Sequence, residues 1–184
     1  MSKVCAFVAQ GLEECEALVT VDILRHSGAQ VTMAAVGGEK RVVGSHGIAF
    51  EADALAEEVN LEEYDMVFLP GGMPGTKNLE ASPLVCAGIK SFAAAGKKVA
   101  AICAAPSVLG HLGLLEGKEA VCYPGFEKEL TGARVLYTET VTDGNITTGR
   151  GLGAAVPFAL ALVKTLYGPE KARTLAEQII WMHP

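Results

Sequence analysis

Short aliphatic runs alternate with amphipathic stretches from one end of the chain to the other. Lys3–Ala9, Gln30–Val36 and Met66–Leu69 read as strands, the last of them buried. Between the first two, past a turn at Gly11, Glu13–Ser27 predicts a helix with Ala17, Val21 and Leu24 on one face and Gly28 as its stop. Arg41–Gly44 and Gly47–Glu51 are less hydrophobic and predict a short hairpin. Met66–Leu69 ends in Pro70-Gly71-Gly72-Met73-Pro74-Gly75, and Ser82-Pro83 opens a helix to about Ala95 that Gly96 closes. Lys98–Ile102 is a strand that stops at Cys103, and a helix follows to about Leu112. Ala120–Tyr123 and Arg134–Val141 read as strands, with Asp143-Gly144 as the turn into Ile146–Thr148. Ala154–Tyr167 and Pro169–Met182 complete the pattern as helices. The alternation predicts one α/β domain over residues 1–184, a mostly parallel sheet covered by helices on both faces.

Composition narrows the partners. Of 184 residues half are apolar, and the net charge is −6, which argues against nucleic acid or an anionic membrane surface as a partner. The stretch from Val99 to Leu115 is broken by Pro106, Gly110, His111 and Gly113 and is too short to span a bilayer. Five cysteines without a CxxC pair, and no basic flank or cleavage pattern at the start, lead to the expectation of free thiols in the cytoplasm. His26, His46, His111 and His183 follow no metal-ligand spacing, and no metal is expected.

Chemistry concentrates where parallel strands end, the edge at which open sheets bind ligands. Cys103 stands where a strand breaks into a helix that starts at Pro106, a setting that lowers a thiol pKa. Glu16 lies in the first turn after strand one, Gly71-Gly72 follow Met66–Leu69, and Gly149-Arg150-Gly151 follow Ile146–Thr148. Each has a plainer reading. A cysteine after a strand is often a small hydrophobe, Glu13 and Glu14 complement a helix dipole, and Gly71-Gly72 serve a tight turn. Arg150 reads equally as a surface ion-pairing residue, His26 as a dipole-complementing one, and Cys5, Cys86 and Cys122 as packing. Cys15, beside Glu16, either faces the site or is structural. The phosphate-loop pattern is absent.

Four segments in order, Gly11-Leu12-Glu13-Glu14-Cys15-Glu16-Ala17, Leu69-Pro70-Gly71-Gly72, Ala100-Ala101-Ile102-Cys103-Ala104-Ala105-Pro106 and Thr148-Gly149-Arg150-Gly151-Leu152-Gly153, resemble the ThiJ/PfpI superfamily. The resemblance is to the branch of the parkinsonism-associated deglycase and the bacterial ThiJ-like proteins, and it covers nearly the whole chain. It implies a flavodoxin-like three-layer α/β/α sandwich of the class I glutamine amidotransferase type, usually a homodimer. It further implies a nucleophile at Cys103, a partner carboxyl at Glu16, and backbone oxyanion donors among Gly71, Gly72 and Ala104. Part of a dimer contact is implied around Ser45-His46-Gly47. The chain departs from the pattern in three places. Tyr123 stands where many relatives carry histidine, and a phenol is a poor general base at neutral pH. Ala104 stands where protease-like relatives carry another histidine. Leu152 replaces a proline at the rim of the pocket that Tyr123, Arg150 and Cys15 border in this reading.

An ionised Glu16 repels a thiolate, whereas a protonated Glu16 donates to it, so the two are expected to titrate as a unit with the proton on the carboxyl. Such a pair suits a cofactor-independent glyoxalase or deglycase, acting on methylglyoxal-like 2-oxoaldehydes or their protein adducts without metal, nucleotide or glutathione. The same residues fit a redox-sensing, chaperone-like stress protein in which Cys103 oxidises to sulfinic acid. A cysteine hydrolase or a thiazole-phosphate enzyme fits less well, lacking a histidine base and a phosphate cradle.

Overall fold

The computed structural model describes residues 1–182; His183 lies outside them. Eleven strands are present: β1 (Lys3–Ala9), β2 (Gln30–Val36), β3 (Arg41–Val43), β4 (Ala49–Glu51), β5 (Ala54–Leu55), β6 (Met66–Leu69), β7 (Lys98–Ile102), β8 (Glu119–Ala120), β9 (Arg134–Val135), β10 (Thr140–Asp143) and β11 (Ile146–Gly149). The helices are α1 (Glu14–His26), α2 (Gly75–Glu80), α3 (Pro83–Ala94), α4 (Pro106–His111), α5 (Ala155–Tyr167) and α6 (Pro169–Gln178). Seven strands form the main sheet in the order β10-β11-β7-β6-β1-β2-β5. All its pairs are parallel except β10 on β11.

The central strand shows why the sheet needs two helical layers. Val4, Ala6 and Val8 of β1 face one core with Leu24, Phe158 and Leu162 from α1 and α5. Cys5, Phe7 and Ala9 face the other, with Val85, Ile89 and Leu109 from α3 and α4. A strand apolar on both faces is stable only when both are covered. This is the parallel sheet covered on both faces that the pattern predicts, and the flavodoxin-like sandwich that the resemblance implies. Among the described residues no helix is long and apolar enough to cross a membrane.

The chain leaves β1 for β2 on one side and later returns to place β6 on the other. The connections therefore diverge between β1 and β6, which opens a crevice at their carboxyl ends. Glu16, Gly71 and Gly72 lie at that crevice, and β7 adds Cys103 beside it.

Several boundaries correct the sequence reading. A short helix, α2, occupies Gly75–Glu80, where the pattern shows only a turn. The expected strand Arg134–Val141 is two pieces, β9 and the start of β10, because residues 136–139 pair with no ladder. Ala120–Tyr123 contributes only Ala120, as the end of β8. The last helix ends at Gln178 rather than Met182, and Ile180 has φ 57°, which a helix cannot continue.

Candidate active site

Cys103 is the first residue after β7 and takes φ 66°, a left-handed conformation that costs an L-residue roughly 1–2 kcal/mol. Its neighbours hold it there: its N–H donates to Gly149 O (2.9 Å), and its C=O accepts from Tyr123 N (2.8 Å). Cys103 is 9% exposed, and the N–H groups of Gly72 and Ala104 donate toward its sulfur.

Glu16 approaches from the other side of the crevice and is fully buried. Its Oε2 accepts from Gly71 N (3.0 Å), whereas Oε1 has no partner of good hydrogen-bond geometry. The Cys103 thiol is the other group that interacts with this carboxyl. Gly71 allows the approach: a Cβ there would lie 2.6 Å from Cys103 Cβ and 2.7 Å from Glu16 Oε2. Gly72, at φ 87°, has no room for a Cβ against the backbone of Glu13. The resemblance grouped both glycines as oxyanion donors, but the Gly71 N–H is already given to Glu16, which leaves Gly72 and Ala104.

Three hydrogen bonds close a ring around this carboxyl. Glu13 N donates to Gly71 O (2.9 Å), Gly71 N to Glu16 Oε2 (3.0 Å), and Glu16 N to Glu13 Oε2 (2.7 Å). Glu13 is thus the N-cap of α1 and also fixes the loop that carries Gly71 and Gly72, a role that the dipole reading missed. The signal available in the sequence was its position three residues ahead of Glu16, at a helix start.

Burial dominates the electrostatics. It pushes the Glu16 carboxyl up to about 7; the thiol contact and the Gly71 N–H oppose this, and the charge of Glu13 adds to it. Burial also pushes the Cys103 thiol up, and the charge of Glu16 and its hydrogen bond to the thiol act in the same direction. The Gly72 and Ala104 N–H groups pull it down without reversing the sum. The expectation of a lowered thiol pKa from the helix start is therefore corrected. With six residues, α4 has a weak dipole, and the desolvated sulfur faces a carboxylate. Moving the one proton onto Glu16 Oε1 removes that repulsion and leaves the N–H groups of Gly72 and Ala104 facing a thiolate.

Glu14 behaves differently. It is buried, with Oε1 accepting from His46 N (2.8 Å) and Ile48 N (3.3 Å) and Oε2 lying 3.0 Å from His46 Nδ1. Glu13, Glu14 and His46 thus bring one ligand atom each within 4.8 Å of one another. Both Glu14 oxygens already serve N–H donors, so the arrangement is an anchor for the β3–β4 hairpin.

The remaining candidates separate. Gly151 lies against the site, since a Cβ there would be 3.2 Å from the Tyr123 ring and 4.0 Å from Cys103 Sγ. Tyr123 is half exposed and lines a cleft with Arg150 and Leu152. Arg150 makes no ion pair among the described residues, contrary to the surface-pair reading, and lies 5.7 Å from the Tyr137 ring centroid. Cys15 is exposed, and desolvation followed by the charges of Glu13, Glu14 and Glu16 pushes its thiol up. Cys5 and Cys122 are packed, their thiols pushed up by burial to about 12 and about 11. Cys86 is half-buried, with Sγ 3.2 Å from Glu80 O.

Comparison with known proteins shows the family. Residues 2–165 match the DJ-1/PfpI family. "Protein DJ-1 homolog B" of Arabidopsis thaliana is 41% identical over 92% of the chain, which spans 39% of that longer protein. The "glutathione-independent glyoxalase DJR-1.2" of Caenorhabditis elegans is 32% identical over 91% of this chain and 89% of its own. The structure of oxidized Toxoplasma gondii DJ-1 superposes with a TM-score of 0.95 at 38% identity, covering all of both chains. The fold, the crevice between β1 and β6 and these matches make the chain a member of the DJ-1/PfpI (ThiJ/PfpI) family.

Proposed function

We propose that this chain is a cysteine-dependent, cofactor-independent glyoxalase that converts methylglyoxal-like 2-oxoaldehydes to 2-hydroxyacids. The observation that carries the reading is the pair itself: a thiol on a strained turn facing a buried carboxyl whose pKa is pushed up to about 7. Near neutral pH a proton passes readily between such a thiol and carboxyl, and Glu16 Oε1 is the atom free to receive it.

The sulfur of Cys103 adds to the aldehyde carbon, a C–S bond forms, and the carbonyl electrons become an alkoxide. The N–H groups of Gly72 and Ala104 face that oxygen as well as the sulfur, and Glu16 delivers its proton to it. Glu16, now a carboxylate, removes the hydrogen from the same carbon. The resulting enediolate passes its hydroxyl proton to the neighbouring oxygen and is protonated by Glu16 at the neighbouring carbon, which gives a thioester. Water then cleaves the C–S bond, releasing the 2-hydroxyacid and restoring the pair. The sequence is an internal redox exchange between adjacent carbons and consumes only water. The name of the Caenorhabditis relative supports it. The same chemistry extends to glycation adducts on proteins, and a cytoplasmic homodimer belongs to the same reading.

The crystallised relative described as oxidized favours a second reading, in which Cys103 is a redox sensor and its sulfinate accepts a hydrogen bond from protonated Glu16. Lactate formation from methylglyoxal without glutathione, in wild type and Cys103→Ser, separates the two. Turnover that vanishes in the variant supports the enzyme. No turnover by folded wild type overturns it in favour of sensing.

A further inference from the structure

A cleft of about 480 Å³ opens beside Cys103 and is lined by Tyr123, Pro124, Glu139 and residues 150–154. Gly151 joins it to the nucleophile, through its closeness to both the Tyr123 ring and Cys103 Sγ. The walls are largely apolar, and the cleft's only cation is Arg150. That guanidinium has no carboxylate within 4 Å among the described residues. Its place over the Tyr137 ring steadies it without neutralising it, and its planar fork of N–H donors stays available. The loop itself is held by Arg150 N donating to Glu139 O (2.9 Å). The Glu139 side chain is the opposing charge in the lining, but it is exposed, so water screens it. The same wall leads into α5, whose amino end has no side-chain cap and carries a field of the same sign as the arginine.

We infer that the cleft selects 2-oxoaldehydes bearing a carboxylate at the end remote from the aldehyde, with Arg150 as the anchor for that carboxylate. The inference rests on the glyoxalase reading of Cys103 and Glu16 and names its substrate class. The simplest such compound is 4,5-dioxopentanoate. Sulfur adds to its terminal aldehyde carbon, the hydrogen on that carbon is transferred to the adjacent carbonyl carbon, and water cleaves the thioester. The product is 2-hydroxyglutarate; one water is consumed, no external oxidant or reductant takes part, and the carboxylate tail is unchanged. A neutral aldehyde such as methylglyoxal meets the same Cys103 and Glu16 without using the anchor.

The test is the ratio of kcat/KM for 4,5-dioxopentanoate to that for methylglyoxal, in wild type, Arg150→Gln and Arg150→Lys. The ratio is expected to fall about tenfold in Arg150→Gln, equivalent to about 1.4 kcal/mol. KM for the anionic substrate carries the change, Arg150→Lys recovers most of it, and added salt narrows the wild-type preference. Turnover of both aldehydes with the same ratio in all three proteins overturns the anchor alone. Turnover of neither by wild type overturns the glyoxalase reading, and the substrate class with it. The rate of Cys103 alkylation by iodoacetate relative to iodoacetamide reads the anchor without turnover. It falls in Arg150→Gln if the arginine serves the cleft, and an unchanged ratio removes the arginine from the site.

Discussion

Glu14 and Glu16 sit two residues apart in the first turn of α1, and both are buried. Burial pushes each carboxyl up, yet Glu14 ends at about 2 and Glu16 at about 7. Part of the difference is depth, since Glu16 is the more deeply enclosed, and part lies in the donors. Glu14 receives its own helix-start N–H, the His46 ring and N–H, and the Ile48 N–H, which together overturn the desolvation. Glu16 receives one N–H from Gly71 and faces a thiol and the charge of Glu13. Depth and donors therefore decide the charge together: Glu16 is the more deeply enclosed of the two, and Glu14 has more N–H groups around its oxygens. One glutamate is an ion that holds a hairpin, and the other is a carboxyl with a raised pKa beside a thiol.

The comparison is broken most sharply by exchanging each carboxyl for an amide. Glu16→Gln is expected to lower lactate formation by at least about 100-fold, because the proton carrier is gone while the shape remains. Its circular dichroism should match wild type, and full turnover would remove Glu16 from the mechanism. Glu14→Gln should act on stability, since it leaves buried N–H donors facing a neutral acceptor. The expected loss is on the order of 2 kcal/mol in urea unfolding at pH 7, and an unchanged midpoint would show that the hairpin does not depend on the ion.

The two residues also set opposite pH dependences. The Glu14 folded pKa is depressed, so its contribution is fully present above the ordinary value of 4.5 and drains away as the pH falls toward about 2. The Glu16 folded pKa is raised, so it costs the fold nothing below 4.5 and a growing amount as the pH climbs through about 7. Glu16→Gln should therefore raise the melting temperature by a few degrees at pH 8 and leave it unchanged at pH 4, read by calorimetry. A lower melting temperature at pH 8 would contradict the raised pKa. Glu13→Gln gives the smallest effect. Losing that charge should move the alkaline limb of the pH–rate profile down by less than about one unit, and a limb that stays in place or moves up would show that Glu13 does not hold Glu16 protonated.

How much of this was legible in the sequence depended on how local the cause was. Aliphatic runs gave β1, β6 and β7 their boundaries, because a strand buried on both faces leaves an unbroken apolar stretch. Helix α2 left no such mark, since Gly75–Glu80 has only Leu79 as a large buried side chain and no apolar period. The two-residue strands β8 and β9 are held by a register against each other that no local pattern encodes. Cys103 and Glu16 stood out from their places at strand ends. The direction of the thiol pKa did not, because it depends on how deeply Gly71 lets the carboxyl approach. Arg150 looked like a surface residue because the cleft that it lines is built from segments some thirty residues apart in the chain.

The left-handed turn at Cys103 has a bearing on protein engineering. Glycine would relax that backbone, and an uncharged residue at 16 would lift the cost of a buried acid. A library ranked only by heat tolerance would discard Cys103 and Glu16, the proposed nucleophile and its carboxyl, early and keep Gly71 and Gly72, whose positions admit nothing larger. Selection for thermostability in this scaffold therefore needs a simultaneous screen for turnover, or it returns a sturdier and inert protein.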